Sequence, residues 1–299
     1  METNAISLTG CFPPIATPFD AKGEVDHERL TRNLKKWQKT PLKGFAVLGS
    51  NGEAVLLQEA EKVAVWQTAR GVIDADHIFI AGTGCESTRA TLDLTEKAAR
   101  VGADAAMVVT PHYYRGRMTH EALVHHYTTI ADHSPVPVIL YNVPASTGVD
   151  LHAETIIVLS RHPNIMGLKE SSGNVIKIGQ VCAAADSDFQ VLAGSGSFLL
   201  PALSVGAVGG IMALASVAPY QVDEIVQQVK QGAFHKAKEI QLRLIAANAA
   251  VTSQFGIPGL KAAMDLIGMY GGPVRAPLLP LTETERETLK KILEEAGIL

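Results

Sequence analysis

Short runs of β-branched or apolar residues recur along the chain at intervals of roughly 30 residues, each followed by a polar or glycine-containing turn and a stretch of helical periodicity. The runs are Phe12–Ala16, Gly44–Leu48, Ile78–Ala81, Ala105–Val109, Val138–Tyr141, Ile165–Lys169, Val191–Ala193 and Gly209–Ala213, eight in all. Amphipathic segments lie between them: Asp26–Lys39, Glu59–Val72, Ser87–Val101, Thr119–Ala131 and Leu151–Ser160. Asp26, Ser87 and Thr119 each offer a side-chain oxygen to an unpaired amide of a first helical turn. Such alternation makes neighbouring strands parallel, because each crossover returns the chain to the same edge of the sheet. Eight units of this kind predict an α/β chain folded as a (β/α)8 TIM barrel over residues 1–229. An open doubly wound sheet is the competing architecture. Beyond Val229 the strand signal stops, and Phe234–Val251, Leu260–Ile267 and Thr282–Ala296 read as helices, the last with a Thr282/Glu285 capping box. Residues 230–299 are expected to form a C-terminal helical region packed on the barrel, and a candidate assembly surface.

With 299 residues, 47% apolar and 19% charged, the chain can bury a sizeable core. Its net charge of −4 is spread over interleaved acids and bases, without the basic stripe that nucleic acid or an anionic membrane requires. A small-molecule substrate is the expectation. Met1-Glu2-Thr3-Asn4 does not open a targeting segment, and no apolar stretch reaches the roughly 18 residues of a membrane span. Cys11, Cys85 and Cys182 form neither a disulfide framework nor a zinc pattern, which fits a reducing cytoplasm.

In a barrel, chemistry gathers where strands end and loops begin. Those ends are polar here: Gly49-Ser50-Asn51-Gly52-Glu53 after the second run, Thr110-Pro111-His112-Tyr113-Tyr114 after the fourth, Tyr141-Asn142 at the fifth, Lys169-Glu170-Ser171-Ser172 at the sixth and Gly194-Ser195-Gly196 after the seventh. Lys169 ends an apolar run, so its ammonium is drawn toward the barrel interior, where desolvation favours a free amine able to attack a ketone. Position alone leaves it equally open to a lysine reaching into solvent. Tyr141, one strand earlier, supplies a phenol that can shuttle protons at such a centre, although a core tyrosine with a satisfied hydroxyl is the commoner arrangement. The Ser50-Asn51 turn can offer donors to a carboxylate, or be simply a turn. Their joint placement points to Schiff-base chemistry on a small 2-oxo acid, with no cofactor. No metal is expected: His120 and His125-His126 lie on a helix, read as a solvated face, and no HExxH pattern occurs. Gly82-Thr83-Gly84 and Gly194-Ser195-Gly196 lack the third glycine of a dinucleotide fingerprint.

Gly49–Glu53, Thr110–Tyr114, Tyr141-Asn142-Val143-Pro144 and Gly167–Ser171 resemble the dihydrodipicolinate synthase and N-acetylneuraminate lyase superfamily over essentially the whole chain. The resemblance implies a (β/α)8 barrel with C-terminal helices, a common homotetrameric assembly, and a Schiff base between lysine and pyruvate. Within the superfamily, Gly49–Glu53, Tyr113–Met118, Asn248–Thr252 and Phe255–Lys261 resemble the 4-hydroxy-2-oxoglutarate aldolases most closely. That likeness implies Lys169 as the Schiff-base lysine, Tyr141 as proton shuttle, and Ser50 linking it to Tyr113 of a neighbouring subunit, with Tyr114 as the alternative. Ser50 and Asn51 would hold the pyruvate carboxylate, with Ser171, Gly194 and the Ile211 carbonyl lining the remaining pocket. The dihydrodipicolinate synthase pattern has Thr-Thr at Ser50-Asn51 and an arginine at Ser146, so the expected reaction is reversible cleavage of 4-hydroxy-2-oxoglutarate to pyruvate and glyoxylate. Alternatives are a 2-keto-3-deoxy sugar acid aldolase, 4-hydroxy-tetrahydrodipicolinate synthase, or a silent 2-oxo-acid-binding protein.

Overall fold

The structure, a computed structural model, describes residues 6–299, so the Met1–Asn4 segment lies outside the described residues. Its strands are β1 (Gly10–Phe12), β2 (Pro14–Ile15), β3 (Gly44–Val47), β4 (Ile78–Gly82), β5 (Ala105–Val109), β6 (Val138–Asn142), β7 (Ile165–Glu170), β8 (Gln190–Ala193) and β9 (Gly209–Ile211). All pair in parallel, in the order β1-β9-β8-β7-β6-β5-β4-β3-β2. The first apolar run is thus not one strand over Phe12–Ala16. Pro13, which has no amide hydrogen, breaks it. The half before Pro13 pairs with β9 and the half after it with β3, so this continuous segment closes the barrel and the nine strands occupy eight positions.

The helices are α1 (His27–Trp37), α2 (Glu59–Arg70), α3 (Thr88–Val101), α4 (His120–His133), α5 (Pro144–Thr147), α6 (Ala153–Leu159), α7 (Val175–Ala184), α8 (Leu199–Ser204), α9 (Pro219–Lys230), α10 (Phe234–Arg243), α11 (Ile245–Ala249), α12 (Gly256–Leu266) and α13 (Glu283–Glu295). Asp26, Ser87 and Thr119 cap α1, α3 and α4, accepting from Arg29, Ala90 and Ala122 amides at 2.9, 3.1 and 3.3 Å. Thr282 and Glu285 form the reciprocal box on α13. No described helix is long and apolar enough to cross a membrane.

Alternation along each strand divides the core in two. Phe12, Ala46, Ile80, Met107, Ile139, Tyr141, Leu192 and Ile211 fill the barrel interior together with Leu8. Phe45, Val47, Phe79, Val108, Leu140, Leu168 and Val191 face outward against the helices. Leu8 enters the barrel from the N-terminal segment, where its amide donates to Gln190 Oε1 at 2.7 Å.

Three further features depart from their sequence expectation. The eighth run ends at Ile211, and Ala213–Ser216 winds into a 3-10 turn. The Gly-Ile-Pro-Gly stretch starts α12 instead of interrupting it, after a π turn at Ala250–Gln254. His126 does not belong to a solvated face: it is 6% exposed, its ring meets Tyr127 edge-on at 5.1 Å, and Nδ1 bonds Thr88 Oγ1 at 2.9 Å.

Burial, reinforced by His125, pulls the His126 pKa down to about 4, against a small opposing pull from Glu86. Because its folded pKa lies below the unfolded value, His126 leaves stability intact above about pH 6.5 and erodes it as pH falls toward 4. Urea unfolding at pH 7.5 and pH 4 should differ by about 3 kcal/mol more in the wild type than in His126→Phe; equal pH slopes would contradict this account.

Candidate active site

Lys169 and Tyr141 are direct cross-strand partners on β7 and β6. Parallel pairing turns their side chains to the same side, the barrel interior. Lys169 is 3% exposed and Tyr141 5%, and the Lys169 Nζ stands 4.0 Å from the centre of the Tyr141 ring. Lys169 is therefore a buried amine against an aromatic face, not one reaching into solvent. The Tyr141 hydroxyl lies 3.2 Å from Ser50 Oγ, in hydrogen-bonding range.

Ser50 opens a 3-10 turn, Ser50–Gly52, with unusual backbone two residues before it and directly after it. Leu48 and Glu53 both adopt left-handed backbone, at φ of 65° and 55°, although neither is glycine. Such residues persist where their surroundings over-determine them and gather at functional sites. The Gly52 carbonyl accepts from Thr17 Oγ1 at 2.6 Å, fixing the turn to the segment after β2. Asn51 is half-buried beside Ser50. Next to Ser50 and Tyr141 opens a cavity of about 70 Å³ walled by Gly49, Val55, Gly82, Gly84 and Val109. Gly82 answers to close packing rather than to a dinucleotide, since a Cβ there would lie 2.2 Å from the Leu48 carbonyl oxygen.

Ser171 follows Lys169 by two residues, and its hydroxyl is buried without a hydrogen-bond partner. A Cβ on Gly194 would fall 1.9 Å from that hydroxyl, so only glycine fits beside Ser171. Ile211 is fully buried at the end of β9 and shares the interior cluster with Tyr141. Tyr113 is not brought to the others. It is 77% exposed, stacked edge-on with the exposed Tyr114 at 5.1 Å, and its loop hangs on Glu86, which accepts from the His112 and Tyr113 amides at 2.9 and 2.8 Å.

Sequence reading missed the buried polar layer behind the site. Asn142 and Glu170, the residues after Tyr141 and Lys169, are also cross-strand partners but face outward. Asn142 Nδ2 donates to both Glu170 oxygens at 3.1 and 2.9 Å and to Asp150 Oδ1 at 2.7 Å. Lys177 of α7 pairs with Glu170 at 3.2 Å and with Asp150 at 2.5 Å, and donates to the Leu151 carbonyl at 3.2 Å. Glu170 Oε1 also accepts from the Ser172 amide at 2.6 Å. The available signal was Asn142 and Glu170 at equivalent ends of adjacent runs; Lys177 gave none.

Residues 7–296 match the model of the dihydrodipicolinate synthetase family. A 4-hydroxy-tetrahydrodipicolinate synthase of Methanothrix thermoacetophila is 35% identical over 97% of this chain and 97% of its own. Among solved structures, dihydrodipicolinate synthase of Bacillus anthracis superposes with a TM-score of 0.93 at 33% identity, covering 97% of this chain and 98% of that one. The enzyme of Acinetobacter baumannii, solved with pyruvate, gives 0.93 at 32%, covering 98% and 100%. The narrower likeness to 4-hydroxy-2-oxoglutarate aldolases has no counterpart in these relatives, whose names are those of the synthase.

Lys177→Met would leave Glu170 buried without its cation, and a broken buried pair typically costs about 3–5 kcal/mol. Urea unfolding at pH 7.5 should register that loss; a variant as stable as the wild type would show that Asn142 and the Ser172 amide suffice for Glu170.

Proposed function

Because the chain belongs to the dihydrodipicolinate synthetase family, we propose that it is a pyruvate-dependent carbon–carbon lyase of the Schiff-base type, with Lys169 as the covalent group. The observation that carries this is the buried Lys169 amine against Tyr141, whose hydroxyl is in turn in reach of Ser50. The neutral Lys169 amine attacks C2 of pyruvate, and the resulting carbinolamine loses water to give an iminium. A proton then leaves C3, producing an enamine whose C3 attacks the carbonyl carbon of an aldehyde. Water releases the product from Lys169. Read backwards, the same steps cleave a 4-hydroxy-2-oxo acid. Tyr141 carries protons to and from the oxygen at C2, and Ser50 relays them outward. Ser50 and Asn51 receive the pyruvate carboxylate, while Ser171, Gly194 and Ile211 complete the wall. The unpartnered Ser171 hydroxyl supports that assignment, since a bound oxygen would satisfy it.

The relay is short of a member in a single chain. Tyr113 and Val55 are both strongly exposed, and the cavity beside Ser50 borders Val55. This supports an assembly, a homotetramer in our reading, in which Tyr113 of a second subunit reaches Ser50; Tyr114 is the fallback.

For the aldehyde half, the names of the relatives support aspartate semialdehyde and hence 4-hydroxy-tetrahydrodipicolinate synthesis. A cation is near the required place: Arg115 packs over Gly148, just after α5, where a Cβ would lie 3.3 Å from Nη1. Ser146 on α5 favours a second reading, cleavage of 4-hydroxy-2-oxoglutarate, because a serine there, unlike an arginine, gives the aspartate-semialdehyde carboxylate no bidentate partner.

Incubation with pyruvate followed by borohydride should add one pyruvate-derived mass to the peptide holding Lys169 and none in Lys169→Ala. Tyr141→Phe should still form the adduct while kcat falls by about a hundredfold or more. An adduct on another lysine would sink the mechanism. Comparing kcat/KM for aspartate semialdehyde and glyoxylate with pyruvate then decides between the two acceptors.

A further inference from the structure

Glu53, the residue directly after the Ser50–Gly52 turn, is left-handed and carries a side chain that is wholly buried. Its carboxylate is held from outside the strand array. Oε1 pairs with Lys261 Nζ at 2.5 Å, and Oε2 accepts from the Arg275 amide at 2.8 Å. Lys261 lies on α12 and is 1% exposed, an uncommon state for a lysine. Its remaining contacts are the Pro273 carbonyl, at 2.7 Å, and the face of Phe19, 4.3 Å from the ring centre. Arg275 also packs on Phe19, at 4.4 Å, and spends its guanidinium on Glu61 and on the Gly23 and Leu56 carbonyls. Phe19 belongs to the same segment as Thr17, which bonds the Gly52 carbonyl. Groups from the C-terminal helical region and from the segment after β2 therefore converge on one short turn.

We infer that Lys261 is a positioning residue: by holding Glu53 it fixes the Ser50–Gly52 turn, and so sets the carboxylate-binding end of the site. The inference rests on the Schiff-base reading of Lys169 only in calling that turn a pyruvate contact. Left-handed backbone is unfavourable for a glutamate, and the bond from the Glu53 amide to the Ser50 carbonyl at 3.0 Å is too local to impose it. The carboxylate is the anchor that can. Without its ammonium partner, a buried carboxylate seeks water, and the route to water is rotation of the turn away from Tyr141. Burial lowers the Lys261 pKa and Glu53 opposes that shift, as expected of a pair that survives in the interior by mutual charge. The same helical region grips a second loop of the mouth: Asn248 bonds the Gly196 amide and Ser195 Oγ, both at 3.0 Å, and Gln241 donates to the Gly196 carbonyl at 2.7 Å.

The test uses pyruvate as probe and reads the rate of borohydride trapping on Lys169 against pyruvate concentration, alongside amide hydrogen exchange of residues 49–53. Lys261→Met should raise half-saturating pyruvate roughly tenfold and speed exchange across the turn, while the adduct yield at saturating pyruvate stays that of the wild type. Lys261→Arg should recover much of the loss. Glu53→Gln should mimic Lys261→Met, and the double variant should be no worse than either, because both act through one contact. A folded Lys261→Met with lower melting temperature but unchanged half-saturation and unchanged exchange would reduce Lys261 to a structural ion pair and overturn the inference. Should Lys261→Met fail to fold, Glu53→Gln makes the same decision. If wild type forms no Lys169 adduct, the Schiff-base reading fails instead, and exchange at residues 49–53 alone decides whether Lys261 holds the turn.

Discussion

The register of β6 against β7 is the constraint on which the site depends. It sets Tyr141 opposite Lys169 and, one residue on, Asn142 opposite Glu170. Side chains alternate along a strand, so a one-residue slip of β7 would point the amine out toward the helices and the carboxylate into the barrel, and a slip of β6 would turn the Tyr141 phenol outward. The outward pair works against such a slip. Glu170 is fully buried, and only Asn142, Lys177 and the Ser172 amide satisfy it together. A buried ionic cluster adds little net stability compared with apolar packing. Its penalty for mismatch is large, because any other register leaves a carboxylate in an apolar layer without partners. The chemical pair and the pair that enforces its register are consecutive residues on the same two strands.

What could be read from the sequence followed the range of the interactions. Strand and helix positions are set by local periodicity, and caps by side chains within a turn of the backbone they serve, so the barrel and the caps at Asp26, Ser87, Thr119 and Thr282 were legible. Features fixed by closure were not. Pro13 is read straight through as part of one strand until the two ends of the sheet are known to meet there. His126 reads as one more polar residue on an amphipathic helix, and its burial depends on how α4 meets α3, where Thr88 receives it. The Gly-Ile-Pro-Gly start of α12 defeats local propensity because proline is harmless in a first turn, whose amides have no helical partner.

The candidate site divides in the same way. Lys169, Tyr141 and Ser50 stand at strand ends or in the first loop residue, and barrel topology alone brings them together. Glu53 reads as the last member of a turn motif, with no hint that its backbone is left-handed or that its carboxylate meets a lysine more than 200 residues later. Nothing in the spacing of Glu53, Lys261 and Arg275 announces a cluster, since their proximity depends on the C-terminal helices folding back over the rim. Tyr113 became a candidate for the site only through family resemblance. Within one chain its side chain is solvated, and no periodicity argument reaches across to a second copy.

This division bears on how far likeness to relatives carries. In the proposed mechanism the donor half of the chemistry belongs to side chains on β6 and β7 and to the turn after β3, all fixed by sheet register or by buried ions. Their geometry can change only at large cost, so a chain that keeps the barrel and these residues keeps the chemistry. In the same proposal the acceptor half falls to α5 and the loop after β5, where Ser146, Tyr113, Tyr114 and Arg115 are all exposed and none of them anchors the core. Exposed loop positions accept substitution with little loss of stability. Substitution at these positions can therefore alter the loops without disturbing Lys169. About one third identity over the full length then supports the proposed role of Lys169 far more strongly than any choice of aldehyde.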